Sequence, residues 1–63
     1  MTTNEIRDKI AWLEDDILSC KVAITLAETS AERWEYRNRI SANRRELVRL
    51  KTTMEVINAD PLF

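Results

Sequence analysis

The chain has 63 residues, 44% of them hydrophobic and 33% charged, with a formal net charge of -1, a balance that suits one folded domain and not a disordered segment. Glycine and histidine are absent, and proline and cysteine occur once each. This excludes phosphate-cradling glycine loops, histidine-based acid-base chemistry, ordinary zinc clusters and an intrachain disulfide. With no such staple, and with only about 60% of the unfolded surface buried in a chain this short, association is the economical way to enlarge the core.

The opening residues Met1-Thr2-Thr3-Asn4-Glu5 lack the basic and apolar regions of a signal peptide, and no stretch approaches the roughly 20 apolar residues of a membrane span. The expected location is therefore the cytoplasm, without membrane contact, and the lone Cys20 is compatible with that reducing compartment. Thr2 stands three residues before Glu5, the spacing of a capping box, and Glu5 and Asp8 put negative charge in the first turn. From there Ile6, Ile10, Leu13, Ile17, Cys20, Ile24 and Ala27 hold a 3-4 spacing that predicts a helix over about 3–28.

Thr29 precedes Glu32 with the same capping spacing, so a turn is predicted at about 29–30 and a second helix over about 31–58. Asp60-Pro61 discourages its continuation into a short tail at 59–63. Each arm is then near 26 residues and about 40 Å long. One uninterrupted helix is the rival, because the series also runs through Ala31 and Trp34 and reaches Ile40 by a short step through Arg37, a stammer that overwinds a coiled coil without forbidding it. A turn at Ser41-Ala42-Asn43 leaves the second arm too short to cover the first.

The reversal is favoured by a mirror symmetry about Ser30. Backward from it run Ile24, Cys20, Ile17, Leu13, Ile10, Ile6 and Thr3; forward, at the same distances, run Tyr36, Ile40, Asn43, Leu47, Leu50, Met54 and Ile57. Folding at the centre stacks these in layers, Ile24 over Tyr36 and Ile6 over Met54 at the extremes of the apolar run. The expected fold is all-α: an antiparallel, coiled-coil-like two-helix hairpin occupying 1–63 as a single domain and dimerising into a four-helix bundle.

More apolar residues are present than this seam uses. Ala11, Leu18, Val22 and Leu26 form another stripe on the first arm, Val48 and Val56 lie off the second arm's main line, and Trp12 and Trp34 stand outside the layers. Covering by a second hairpin explains them, as does a foreign protein held by Trp12, Leu18, Val22, Leu26 and Trp34, since aromatic anchors bury a large area with few rotatable bonds. Asn43 interrupts the apolar phase, either setting register from a buried position or facing a wet edge. Cys20 reads as a small core hydrophobe.

Charge is unevenly spread. Residues 1–32 carry three basic groups against seven acidic ones, whereas 33–51 carry seven basic groups against Glu35 and Glu46. Arg37, Arg44, Arg45, Arg49 and Lys51 could follow a phosphate backbone, or the arginines could solvate the second arm and pair with the acidic first. Hairpin register brings Glu14 near Arg44, but sets Lys21 near Arg37 and Asp16 near Glu46 as repulsive pairs. Neighbours Asp15 and Asp16 point about 100 degrees apart on a helix, so Glu14-Asp15-Asp16 reads as a solvated run and not a metal cluster. No catalytic constellation or cofactor site is recognisable.

The sequence thus suggests a small non-enzymatic regulator, adaptor or inhibitor of viral or bacterial type, acting as a homodimer on another protein. Nucleic-acid binding through the arginine-rich arm is the alternative. A purely structural oligomerisation element is a third.

Overall fold

The computed structural model describes residues 2–59, which form two α-helices, α1 (Thr3–Leu26) and α2 (Ser30–Ala59). They pack against each other as an all-α hairpin with no strand among the described residues. The rival rod is thereby excluded. Two antiparallel helices side by side make an elongated body of 54 × 15 × 15 Å, with a radius of gyration of 15.0 Å where a globule of this length would have about 11 Å.

Local chemistry accounts for both helix starts. Thr2 is the N-cap of α1, and its hydroxyl accepts a hydrogen bond from the Glu5 N–H at 3.2 Å. Thr29 does the same for α2, accepting from the Glu32 N–H at 3.1 Å. Each hydroxyl satisfies one of the N–H groups that a helix start leaves unpaired.

The reversal occupies residues 27–29, beginning two residues and ending one residue earlier than the sequence pattern places it; α1 stops at Leu26 instead of about residue 28, and α2 starts at Ser30 instead of about residue 31. Ala27 is extended (φ -66, ψ 136), which ends the helical ladder with its N–H still donating to the Ile24 carbonyl at 3.3 Å. Ala27 itself needs no glycine, because its φ is negative. Instead Arg33 reaches back from α2: Nη1 donates to the Ala27 carbonyl at 3.3 Å and Nη2 to Ser30 Oγ at 3.2 Å. One side chain thus satisfies a carbonyl at the end of the first arm from the beginning of the second. At the far end α2 extends through Ala59; the stop expected at Asp60-Pro61 lies outside the described residues.

Ile6, Leu13, Ile17 and Cys20 of α1 are buried with Ile40, Leu47 and Leu50 of α2, and Ile10, Ile24, Tyr36 and Met54 pack partly buried against them. These are the apolar members of the mirror series, and their burial is the driving force that closes the hairpin. The outermost pair departs from the pattern: Thr3 is half-buried and Ile57 is 43% exposed, since α1 begins at Thr3, opposite Ile57, and among the described residues no earlier turn of α1 covers it. Cys20 is a free thiol buried in the seam.

Candidate partner-binding surface

The seam divides the hairpin into two flanks, and ion pairs identify which residues share each. On one flank Arg39 forms a bidentate pair with Asp16, Nε to Oδ2 at 2.7 Å and Nη2 to Oδ1 at 2.6 Å, while Asn43 Nδ2 donates to the same Oδ2 at 2.7 Å. The Asp16 side chain is only 13% exposed. Hydrogen bonding from Arg39, then from Asn43, holds its carboxyl below the ordinary value of 3.8, because donors to the charged form stabilise it. Asn43 is therefore half-buried and satisfied, a polar layer inserted at one edge of an apolar seam.

Asp16, which the register sets near Glu46, is thus met by a cation. A guanidinium spans the roughly 7 Å of helix rise that separates Arg39 from the level of Asp16, and its planar fork matches a carboxylate. Glu46 is engaged elsewhere, accepting from Arg49 on its own helix, with Nε to Oε2 at 3.0 Å. That contact lowers the Glu46 carboxyl from its ordinary value.

On the other flank Lys51 Nζ lies 3.7 Å from Glu14 Oε2. Beside it an open groove of about 310 Å³ is lined by Glu14, Ile17, Leu18, Arg44 and Leu47. Its floor consists of seam residues and its rim is Leu18 facing Arg44, so the expected proximity of Glu14 and Arg44 is realised around a groove and not as a direct ion pair.

The residues singled out as protein anchors are all on the surface. Trp12, Leu18, Val22, Leu26 and Trp34 are between 58% and 74% exposed, and Val48 and Val56 fall within the same range. They do not form one patch. Leu18, Val22 and Leu26 recur every four residues along one row of α1, whereas Trp12 is six residues from Leu18 and on a different face, and Trp34 stands on α2. The basic set divides as well. Arg37, Arg44 and Lys51 are spaced by seven and share the groove's flank; Arg49 is committed to Glu46, and Arg45 is turned about 100 degrees from Arg44.

Two features escaped the sequence reading. Arg33 as a latch on the turn had no motif to mark it. The heptad series Arg7, Glu14 and Lys21 on α1 joins Arg37, Arg44 and Lys51, a row that the spacing on α2 already places on one helical side, into a single surface only when the flanks are known. Among the described residues no group of three or more potential ligands could hold a metal ion, and no helix is long and apolar enough to cross a membrane. Comparison of the chain with protein-family models, curated proteins and solved structures finds no match.

Proposed function

We propose that this chain is a small non-enzymatic binding protein, a regulator, adaptor or inhibitor, that pairs with a second copy to form a four-helix bundle and engages another protein through apolar surface left outside that bundle. The observation that carries the reading is the set of large hydrophobic side chains left mostly exposed by the hairpin, Leu18, Val22, Leu26, Trp12, Trp34, Val48 and Val56. Leu18, Val22 and Leu26 form the continuous row of that set, and contiguous exposed apolar surface on a small domain marks an interaction site. The hairpin's accessible surface, 4845 Å², also exceeds the about 4200 Å² of a compact monomer of this mass, as expected for a unit whose burial is completed by association.

Sedimentation of the free protein, combined with crosslinking to cell extract and mass measurement of the recovered complex, tests both halves. A stable monomer that retains no partner contradicts them. A second reading, nucleic-acid binding, draws on the row Arg37, Arg44 and Lys51. It requires binding of duplex or single-stranded RNA or DNA that weakens with salt and with Arg44→Ala or Arg45→Ala, and no binding at low salt removes it. If the chain is instead an oligomerisation element alone, Trp12 and Leu18 substitutions alter subunit number and no foreign partner is recovered.

A further inference from the structure

The groove flank differs from its opposite in charge as well as shape. Its two heptad rows hold Arg7, Lys21, Arg37, Arg44 and Lys51 against the single carboxylate Glu14, and that carboxylate is already met by Lys51. Among the described residues Arg37 and Arg44 take part in no ion pair. The corresponding rows of the other flank, Lys9 and Asp16 facing Glu32, Arg39 and Glu46, carry no excess of positive charge, and Arg39 and Asp16 are internally paired. Uncompensated positive charge therefore borders an apolar depression on one side of the hairpin only. Leu18 and Val48 extend the apolar strip along it, each four residues beyond a heptad member, Glu14 and Arg44.

We infer that this groove is the docking site for an acidic amphipathic helix of the partner protein, laid between α1 and α2 to complete a three-helix layer. The inference rests on the protein-binding reading above and specifies the chemistry of the partner. Three observations select this occupant. The groove lies at the small end of the roughly 300–1,000 Å³ range of binding clefts, room for one or two apolar side chains projected from a helix at i and i+3 or i+4. Leu18 at its rim is 60% exposed above the buried Ile17 and Leu47 and gains by being covered with apolar atoms, which a phosphodiester backbone lacks. Arg44 in the groove's lining and Arg37 one heptad along α2, with Lys21 on the facing row of α1, complement carboxylates on such a helix. A second copy of this chain is disfavoured here: two-fold symmetry would set this basic flank against itself, so self-association falls to the remaining faces.

The test is an unbiased selection. A display library of 18-residue helical peptides, varied equally in acidic, basic and apolar positions, is panned against the intact chain, and the affinities of the winners are measured on variants. The winners are expected to be net acidic with apolar residues at i, i+3 or i+4 and i+7. Arg44→Glu and Arg37→Glu are expected to weaken them at least about tenfold. Arg45→Glu, which makes the same change in net charge one residue away, is expected to leave affinity within about twofold, with helical circular dichroism confirming that all three variants fold.

Neutral or basic winners, no winners, or equal losses from Arg44→Glu and Arg45→Glu overturn the inference. So does a 20-base-pair RNA duplex that binds and displaces the peptides. Sedimentation of the same variants is read separately: an unassociated wild type defeats the four-helix bundle while leaving the groove intact, and failure of the panning with a normal dimer defeats the groove alone.

Discussion

The seam between the helices and the rows facing away from it are both strongly apolar. Leu supplies both, with Ile, Cys, Tyr and Met in the seam and Val and Trp outside it, and among the described residues the buried core has seven members where the large exposed hydrophobics number eight, so apolar content does not separate inside from outside. Phase does. Seam residues keep a 3-4 rhythm mirrored about the turn, so each finds a counterpart at its own level on the other helix. The outer rows keep a helical rhythm too, but displaced around the cylinder, where the hairpin offers nothing opposite. The first set determines the fold, and the second is surplus to it, which is why function is sought there.

This contrast is broken most severely from the inside. Leu13→Ala or Leu47→Ala removes a buried side chain, and large-to-small changes at such sites cost about 2–5 kcal/mol, comparable with the whole stability of a domain this small. Circular dichroism at 25 °C is expected to show loss of most helix for either variant, and a fully folded Leu47→Ala protein would mean that the seam is not what holds the arms together. Leu26→Ala, at the most exposed of the large hydrophobics, is expected to shift unfolding by no more than about 0.5 kcal/mol, measured by urea titration.

The outer rows are tested next by function and not by stability. Trp34→Ala is expected to diminish partner capture with the thermal midpoint preserved, whereas Trp12→Ala is expected to shift the subunit number. Capture that survives the loss of Trp34 removes it from the binding surface.

The polar layer gives a smaller, pH-dependent effect. Because the folded Asp16 carboxyl lies below its ordinary value of 3.8, its contribution to stability is present above that value and is lost as pH falls through the depressed folded one. The wild type is therefore expected to be more stable than Asp16→Asn at pH 6, with the difference shrinking below about pH 4. A gap that stays constant from pH 6 to pH 2, followed by thermal melts, would show that the Arg39 contact contributes nothing through charge.

Much of the architecture was legible before any coordinates because burial imposes a period, and a period is written in residue spacing. Ile6, Leu13, Ile17, Cys20, Ile40, Leu47 and Leu50 could all be named as core from that rhythm alone. The start of the turn was placed two residues late, because its closure depends on Arg33 reaching the Ala27 carbonyl, a long-side-chain contact with no compositional signature. The pairing of Asp16 with Arg39 and Asn43 was equally hidden: it depends on rotation of the helices about their axes and on rotamers, and exposed ion pairs of this kind are worth only about 0–1 kcal/mol, too little to shape a sequence pattern. The candidate surface was legible as a roster of residues but not as a geometry. Trp12 and Leu18 read alike in one dimension and stand about 120 degrees apart around α1 in three.

Sedimentation equilibrium of the free protein over a wide concentration range tests the central claim most directly, that the outer apolar rows exist to be covered. The account expects a species of twice the 7.4 kDa chain mass at micromolar concentration that Val22→Glu or Trp12→Ala, both outside the groove, dissociates to folded hairpins. A single species of one chain mass at every concentration, unaffected by either substitution, would contradict it.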